Sequence, residues 1–200
     1  MGDIEILQAM ILDAAKVPLE SNGNRNRVIL REPDLPDCSV TINGMPSDDQ
    51  VIVIKADAFV APRTVFAGSK GECKRADFII IANTEVKKVI ICIEMKAKAG
   101  TSLEWEIIQQ LKGAQCFVGY CQQVGKVFWE EKDFLNGYMY RFVNIRNINN
   151  VDVRTTKELK NDSLKKTKGQ SKPDIHNRPE RMLKINSPRY IEFNRLIGRI

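Results

Sequence analysis

The chain has 200 residues, of which 43% are hydrophobic and 28% charged; this suits one core of ordinary size with an appendage and excludes a disordered chain. The net charge of +6 is unevenly placed: residues 1–153 carry 18 basic and 20 acidic side chains, whereas residues 154–200 carry 13 and 5. No apolar run nears the roughly 18 residues that span a bilayer, and the acidic start at Asp3 and Glu5 is unlike a secretory signal, so a cytoplasmic protein is expected.

In chain order, Ile4, Leu7, Ile11 and Ala14 fall on one face of residues 3–16, which predicts an amphipathic helix capped by Asp3 and stopped before Pro18. Residues 21–37, rich in Asn, Pro and Asp, read as a loop. Strand-like runs follow at Ser39–Ile42 and Val51–Val60, around turn chemistry at Asn43-Gly44 and Ser47-Asp48-Asp49. Two further apolar runs, Phe78–Ala82 and Val89–Ile93, are too short for helices and read as strands joined by a turn at 84–87. Thr101-Ser102-Leu103-Glu104 has the form of a capping box, and it opens a helix with Leu103, Ile107, Leu111, Ala114 and Val118 on one stripe. Lys126–Trp129 and Tyr138–Ile148 are the last strand candidates. The order describes a small α/β protein with a mixed sheet. Residues 1–153 form the expected core, and 154–200 a basic extension in which Tyr190–Phe193, Leu196 and Ile197 can dock back.

Five cysteines form no CxxC pair and read as reduced thiols. The single histidine, His176, argues against hydrolases that need a His base and against His-rich metal sites. Chemistry must therefore rest on carboxylates, lysine or a hard metal. The informative segments are Arg75-Ala76-Asp77-Phe78 and Ile93-Glu94-Met95-Lys96. Glu94 and Lys96, two apart on a strand, project from one face. A hairpin pairing Asn83 with Lys88 places Asp77 directly across from Glu94, with Cβ atoms roughly 4.5–5.5 Å apart. Two adjacent carboxylates on an apolar strand repel unless a cation or proton lies between them, and hard oxygen ligands without histidine favour Mg²⁺, with Mn²⁺ as a substitute.

A strand Asp, a strand Glu-x-Lys and a helix directly after them resemble the PD-(D/E)XK nuclease superfamily over roughly residues 51–125. Ala76 stands where the family name has Pro, which leaves the ligand set intact. The resemblance implies a restriction endonuclease-like α/β core, with a central mixed β-sheet flanked by helices, and metal-dependent hydrolysis of phosphodiester bonds with DNA as the expected partner. It implies Asp77 and Glu94 as metal ligands, the Met95 carbonyl as a third, and Lys96 as the catalytic lysine. It also implies a Gln or Lys on the following helix. Gln110 is preferred to Gln109 and Lys112 because it lies roughly 60° from Ile107, on the flank of the apolar stripe. Glu5 or Glu20 is a candidate extra ligand, and a homodimer is an expectation of the same kind.

Lys74, Arg75 and Lys98 flank the ligands and are candidate phosphate contacts. The bland readings set beside these are a solvated Glu94–Lys96 ion pair, packing roles for Trp105, Trp129 and the tyrosines, and a solvated arm at Lys157–Lys172. The alternative function is a non-catalytic nucleic-acid-binding module that uses the same fold and the basic tail.

Overall fold

A computed structural model describes residues 1–23, 25–32, 35–97, 103–148 and 176–198. In chain order the elements are helix α1 (Asp3–Met10), strands β1 (Glu20–Asn22), β2 (Arg25–Glu32), β3 (Leu35–Met45), β4 (Val51–Lys55), β5 (Phe78–Asn83) and β6 (Lys88–Lys96), helix α2 (Glu104–Phe128), strands β7 (Met139–Arg146), β8 (Leu183–Asn186) and β9 (Tyr190–Glu192), and the short helix α3 (Phe193–Ile197).

Strands that are apolar on both faces must be covered on both faces. β4, β5 and β6 meet that description, and they lie in a five-stranded sheet of order β4-β5-β6-β7-β8. One face, with Ile80, Ile91, Ile93, Met95, Val143 and Ile145, packs on Val28, Leu30, Val40 and Ile42 of a four-stranded sheet of order β1-β2-β3-β9. The other face, with Ile79, Ile81, Ile90, Cys92 and Phe142, packs on Ile4, Ile6 and Leu7 of α1 and on Ile107, Leu111, Ala114, Val118 and Cys121 of α2. The molecule is mixed α/β, and both sheets are mixed: β4-β5-β6 is an antiparallel meander, β6, β7 and β8 run parallel, and β9 joins β3 in parallel. The central mixed sheet is present, with α1 and α2 on one face and the second sheet, together with the short α3, on the other.

Several expected elements differ. The first helix ends at Met10, because Lys16 bridges Ile54 and the Val17 amide donates to the Val53 carbonyl at 2.9 Å, so the chain leaves the helix to lie along β4. Residues 25–32 and 35–37 are not a loop but strand: Arg25 and Arg31 of β2 are exposed, while Val28 and Leu30 are fully buried. Asn43-Gly44 is not a turn. Gly44, at φ 69°, is the extra residue of a bulge, since Asn26 pairs with Met45 and Arg27 with Asn43. β4 stops at Lys55, short of Val60, where a 3₁₀ turn follows at Ala56–Ala58. Lys126 and Val127 are not strand but the last turn of α2, whose stripe continues through Cys121 and Gly125.

The expected boundary after Val153 lies outside the described residues, as do Thr101 and Ser102. The C-terminal stretch 176–198 belongs to both sheets. Its end is tied down where helix carbonyls need donors: His176 Nε2 donates to Leu196 O at 2.7 Å, Arg141 Nε to Ile197 O at 2.9 Å and Lys87 Nζ to Gly198 O at 2.8 Å. All five cysteines are free, and burial pushes the Cys121 thiol up to about 12. Among the described residues no helix is long and apolar enough to cross a membrane.

Candidate functional site

The hairpin register fixes the site. β5 pairs with β6 from Asn83 opposite Lys88 to Phe78 opposite Ile93, as expected, and the next place in that register sets Asp77 beside Glu94. Asp77 is buried; its Oδ2 accepts the Met95 N–H at 2.6 Å and its carbonyl accepts the Ala56 N–H at 2.8 Å, which holds the carboxylate against β6. Its approach is set from the other side by α2. A Cβ at Gly113 would overlap the Lys74 carbonyl, so only glycine lets the helix meet the backbone leading into Asp77.

Glu94 is 0% exposed and shares the helix-facing side of β6 with Ile90 and Cys92. Lys96 reaches back to it, with Nζ 2.5 Å from Oε1. Apart from that contact, no described group donates a hydrogen bond to either Glu94 oxygen. Burial, followed by the Asp77 carboxylate and more weakly by Glu32, pushes the Glu94 carboxyl well above its ordinary range, against the pull of Lys96. Burial alone would lower the Lys96 ammonium, but Glu94, then Asp77 and Glu32, outweigh it and raise its pKa. The pair sits at the edge of a region with more acid than base, which raises both groups.

The parallel partner strand continues this polar row. Asn144 stands opposite Glu94 and Arg146 opposite Lys96; on β8, Lys184 stands opposite Asn144 and gives its ammonium to Glu104 Oε2 at 2.6 Å. Asn144 is 0% exposed, and neither its Nδ2 nor its Oδ1 has a hydrogen-bond partner among the described residues; Arg146 Nε is likewise buried and unpartnered. The row ends at the start of α2, where the Glu106 carboxylate accepts the Leu103 N–H at 3.0 Å. That arm closes the helix two residues beyond the Glu104 that the sequence pattern marks. Beside the site, a cleft of about 520 Å³ is lined by Glu20, Arg31, Glu32, Lys55, Asp57 and Phe78, among others.

The other expected residues fall as follows. Met95 is buried in the core between the sheets, on the face opposite Glu94. Gln110 is half-buried on α2, one turn before Gly113. Gln109 stands against Gly71, and Lys112 pairs with Glu180 at 2.8 Å. Lys74 is exposed; Arg75 is half-buried, with burial lowering its pKa, Asp57 opposing that and Arg63 adding to it. Lys98 lies outside the described residues. Glu5 does not join the site, because its carboxylate accepts the Gly2 N–H at 3.2 Å at the start of α1. Glu20 pairs with Arg27 at 2.8 Å and faces the cleft. Trp105 is not packed in the core but 56% exposed on the first turn of α2.

Sequence reading passes over Glu32, Asn144 and Arg146. Glu32 ends a strand that reads as loop. Asn144 interrupts the apolar run Phe142-Val143-Asn144-Ile145, which is a visible signal, but its place opposite Glu94 depends on a parallel pairing that no local pattern encodes.

The donor chemistry suits a hard divalent cation, since two buried carboxylates meet and Glu94 receives no hydrogen bond beyond its lysine among the described residues. No trio of His, Cys, Asp or Glu side chains stands in metal-holding arrangement among the described residues. A cation here would rest on two carboxylates completed by neutral oxygens. Compared with protein-family models, curated proteins and solved structures, the chain matches none.

Proposed function

We propose that the chain is a Mg²⁺-dependent nuclease of the PD-(D/E)XK type, hydrolysing phosphodiester bonds in DNA. The observation that carries this reading is the fully buried Glu94, set beside Asp77 by the hairpin register and bridged at 2.5 Å by Lys96, at the strand end where the chain passes into α2. Burying two carboxylates together costs free energy that an apolar pair would not, and a cation requirement explains why the chain bears it.

In this reading Asp77 and Glu94 hold Mg²⁺, with Mn²⁺ as a substitute. The ion supplies Lewis acidity at a phosphate oxygen and acidifies water. Lys96, held by Glu94, presents its ammonium where an attacking water is oriented and where negative charge develops on phosphorus oxygens. Arg146, one strand over from Lys96, offers a buried and unpartnered guanidinium N–H to a phosphate. The six lysines from Lys157 to Lys172 add positive charge that the near-neutral core lacks.

The test is a cleavage panel of linear duplex, single-stranded and branched DNA and RNA, with Mg²⁺ or Mn²⁺, comparing wild type with Glu94→Ala and Lys96→Ala. Cleavage of a DNA substrate that falls roughly 100-fold or more in each variant is the expected result. No cleavage by wild type, or undiminished cleavage by the variants, refutes the proposal. Salt-sensitive binding that persists in EDTA without cleavage marks a nucleic-acid-binding module instead.

A further inference from the structure

Among the described residues nothing accounts for the place of Asn144. It lies in β7 between Val143 and Ile145, is 0% exposed, and has neither its amide nitrogen nor its oxygen satisfied among the described residues. A buried carboxamide without partners is costly, and at this place Val or Leu would pack without that cost. Buried polar groups left in this condition call for an explanation, a bound ion or water among them.

Its position supplies one. In the parallel pair of β6 and β7, Asn144 is the register partner of Glu94, and neighbouring strands lie roughly 4.8 Å apart. Phe142, two residues earlier on β7, packs in the helix-facing core with Cys92 of β6, so Asn144 and Glu94 share that side of the sheet. Asp77, just before β5, Glu94 on β6 and Asn144 on β7 therefore form one transverse row. A neutral amide oxygen adds a hard donor without placing a third negative charge beside a carboxylate that burial and Asp77 already oppose.

We propose that Asn144 Oδ1 is the third side-chain ligand of the divalent cation held by Asp77 and Glu94. This rests on the cation-binding part of the function proposed above and extends it to a strand outside the motif. Arg146 is the next group on the same face of β7, opposite Lys96.

The test is Mn²⁺ binding to the full chain by titration calorimetry, with thermal unfolding in EDTA as the check on folding. Asn144→Ala should bind Mn²⁺ about tenfold more weakly or worse, while its thermal midpoint in EDTA stays level or rises because an unpaired amide has gone. Asn144→Asp should keep Mn²⁺ affinity within about threefold of wild type or tighten it, since a carboxylate oxygen replaces the amide oxygen. If Asn144 served only as an amide donor to Glu94, Asn144→Asp would fail as fully as Asn144→Ala, and that result overturns the proposal.

Wild-type affinity in Asn144→Ala, alongside abolished binding in Glu94→Ala, sinks the role of Asn144 and leaves the two-carboxylate site standing. No Mn²⁺ binding by wild type sinks both. Mn²⁺ binding that depends on Asn144, in a protein that cuts nothing, upholds the ligand assignment and removes the nuclease reading alone.

Discussion

Replacing Lys96 with Met keeps the side-chain stem and deletes the only charge that contacts Glu94 among the described residues. Glu94 has a folded pKa raised above its ordinary value of 4.5, by burial first and Asp77 second. Such a group binds more protons folded than unfolded, so its contribution is fully present below the ordinary value and disappears as pH rises through the folded one. In the wild type, Lys96 opposes the shift. Without Lys96 the carboxyl stays protonated to higher pH, and stability falls by about 1.4 kcal/mol per pH unit above 4.5. Proton uptake also caps the damage, keeping it below the roughly 3–5 kcal/mol typical of a buried pair stripped of one partner. The assay is urea unfolding in EDTA at pH 5, 6 and 7 for Lys96→Met and for Lys96→Met with Glu94→Gln. The double variant should be the more stable, with a gap that widens by about 1.4 kcal/mol per unit. A gap independent of pH refutes the assignment of Glu94 as a buried, shifted carboxyl.

Gly113→Ala should lower unfolding stability by about 1–3 kcal/mol through overlap with the Lys74 backbone, and should weaken Mn²⁺ binding by moving the segment before Asp77. Gly119→Ala, on the same helix with open space around it, should instead stabilise by about 1 kcal/mol, and equal unfolding midpoints for the two variants count against the close approach at Gly113. Arg141→Ala removes donors to Ile197 O and Tyr140 O and should cost about 1.5–3 kcal/mol. Faster amide hydrogen exchange in α3 with α2 unchanged is the expected pattern, and unchanged exchange in α3 refutes the clamp. Changing the six lysines between 157 and 172 to Gln should weaken binding to duplex DNA and lower its salt dependence by about 0.9 for each phosphate no longer neutralised, measured by fluorescence anisotropy from low to moderate salt; an unchanged slope removes the tail from the binding surface.

The hairpin that carries Asp77 and Glu94 was legible because local chemistry settles it: two short β-branched runs and a four-residue turn leave one register in which both bury their apolar faces. α2 was legible from its stripe, although its end was not, since Lys126–Trp129 reads as a strand until Gly125 is seen packed against Phe134. What escaped was set at long range. Residues 25–32 look polar because Arg25, Asn26 and Arg27 lead the run, yet Val28 and Leu30 become core when the five-stranded sheet supplies the opposing surface. The same holds for Ile185, which a polar stretch supplies to the five-stranded sheet, whereas Ile191, Phe193 and Leu196 dock back as expected. This changes how the basic extension is to be tested. Truncation after Val153 would strip β8 from β7 and β9 from β3 and remove the His176 carbonyl that accepts the Phe142 N–H, so a fall in binding would report unfolding as readily as missing charge. Substituting the lysines in place leaves both sheets complete, and only then does a change in salt dependence measure contact with phosphate.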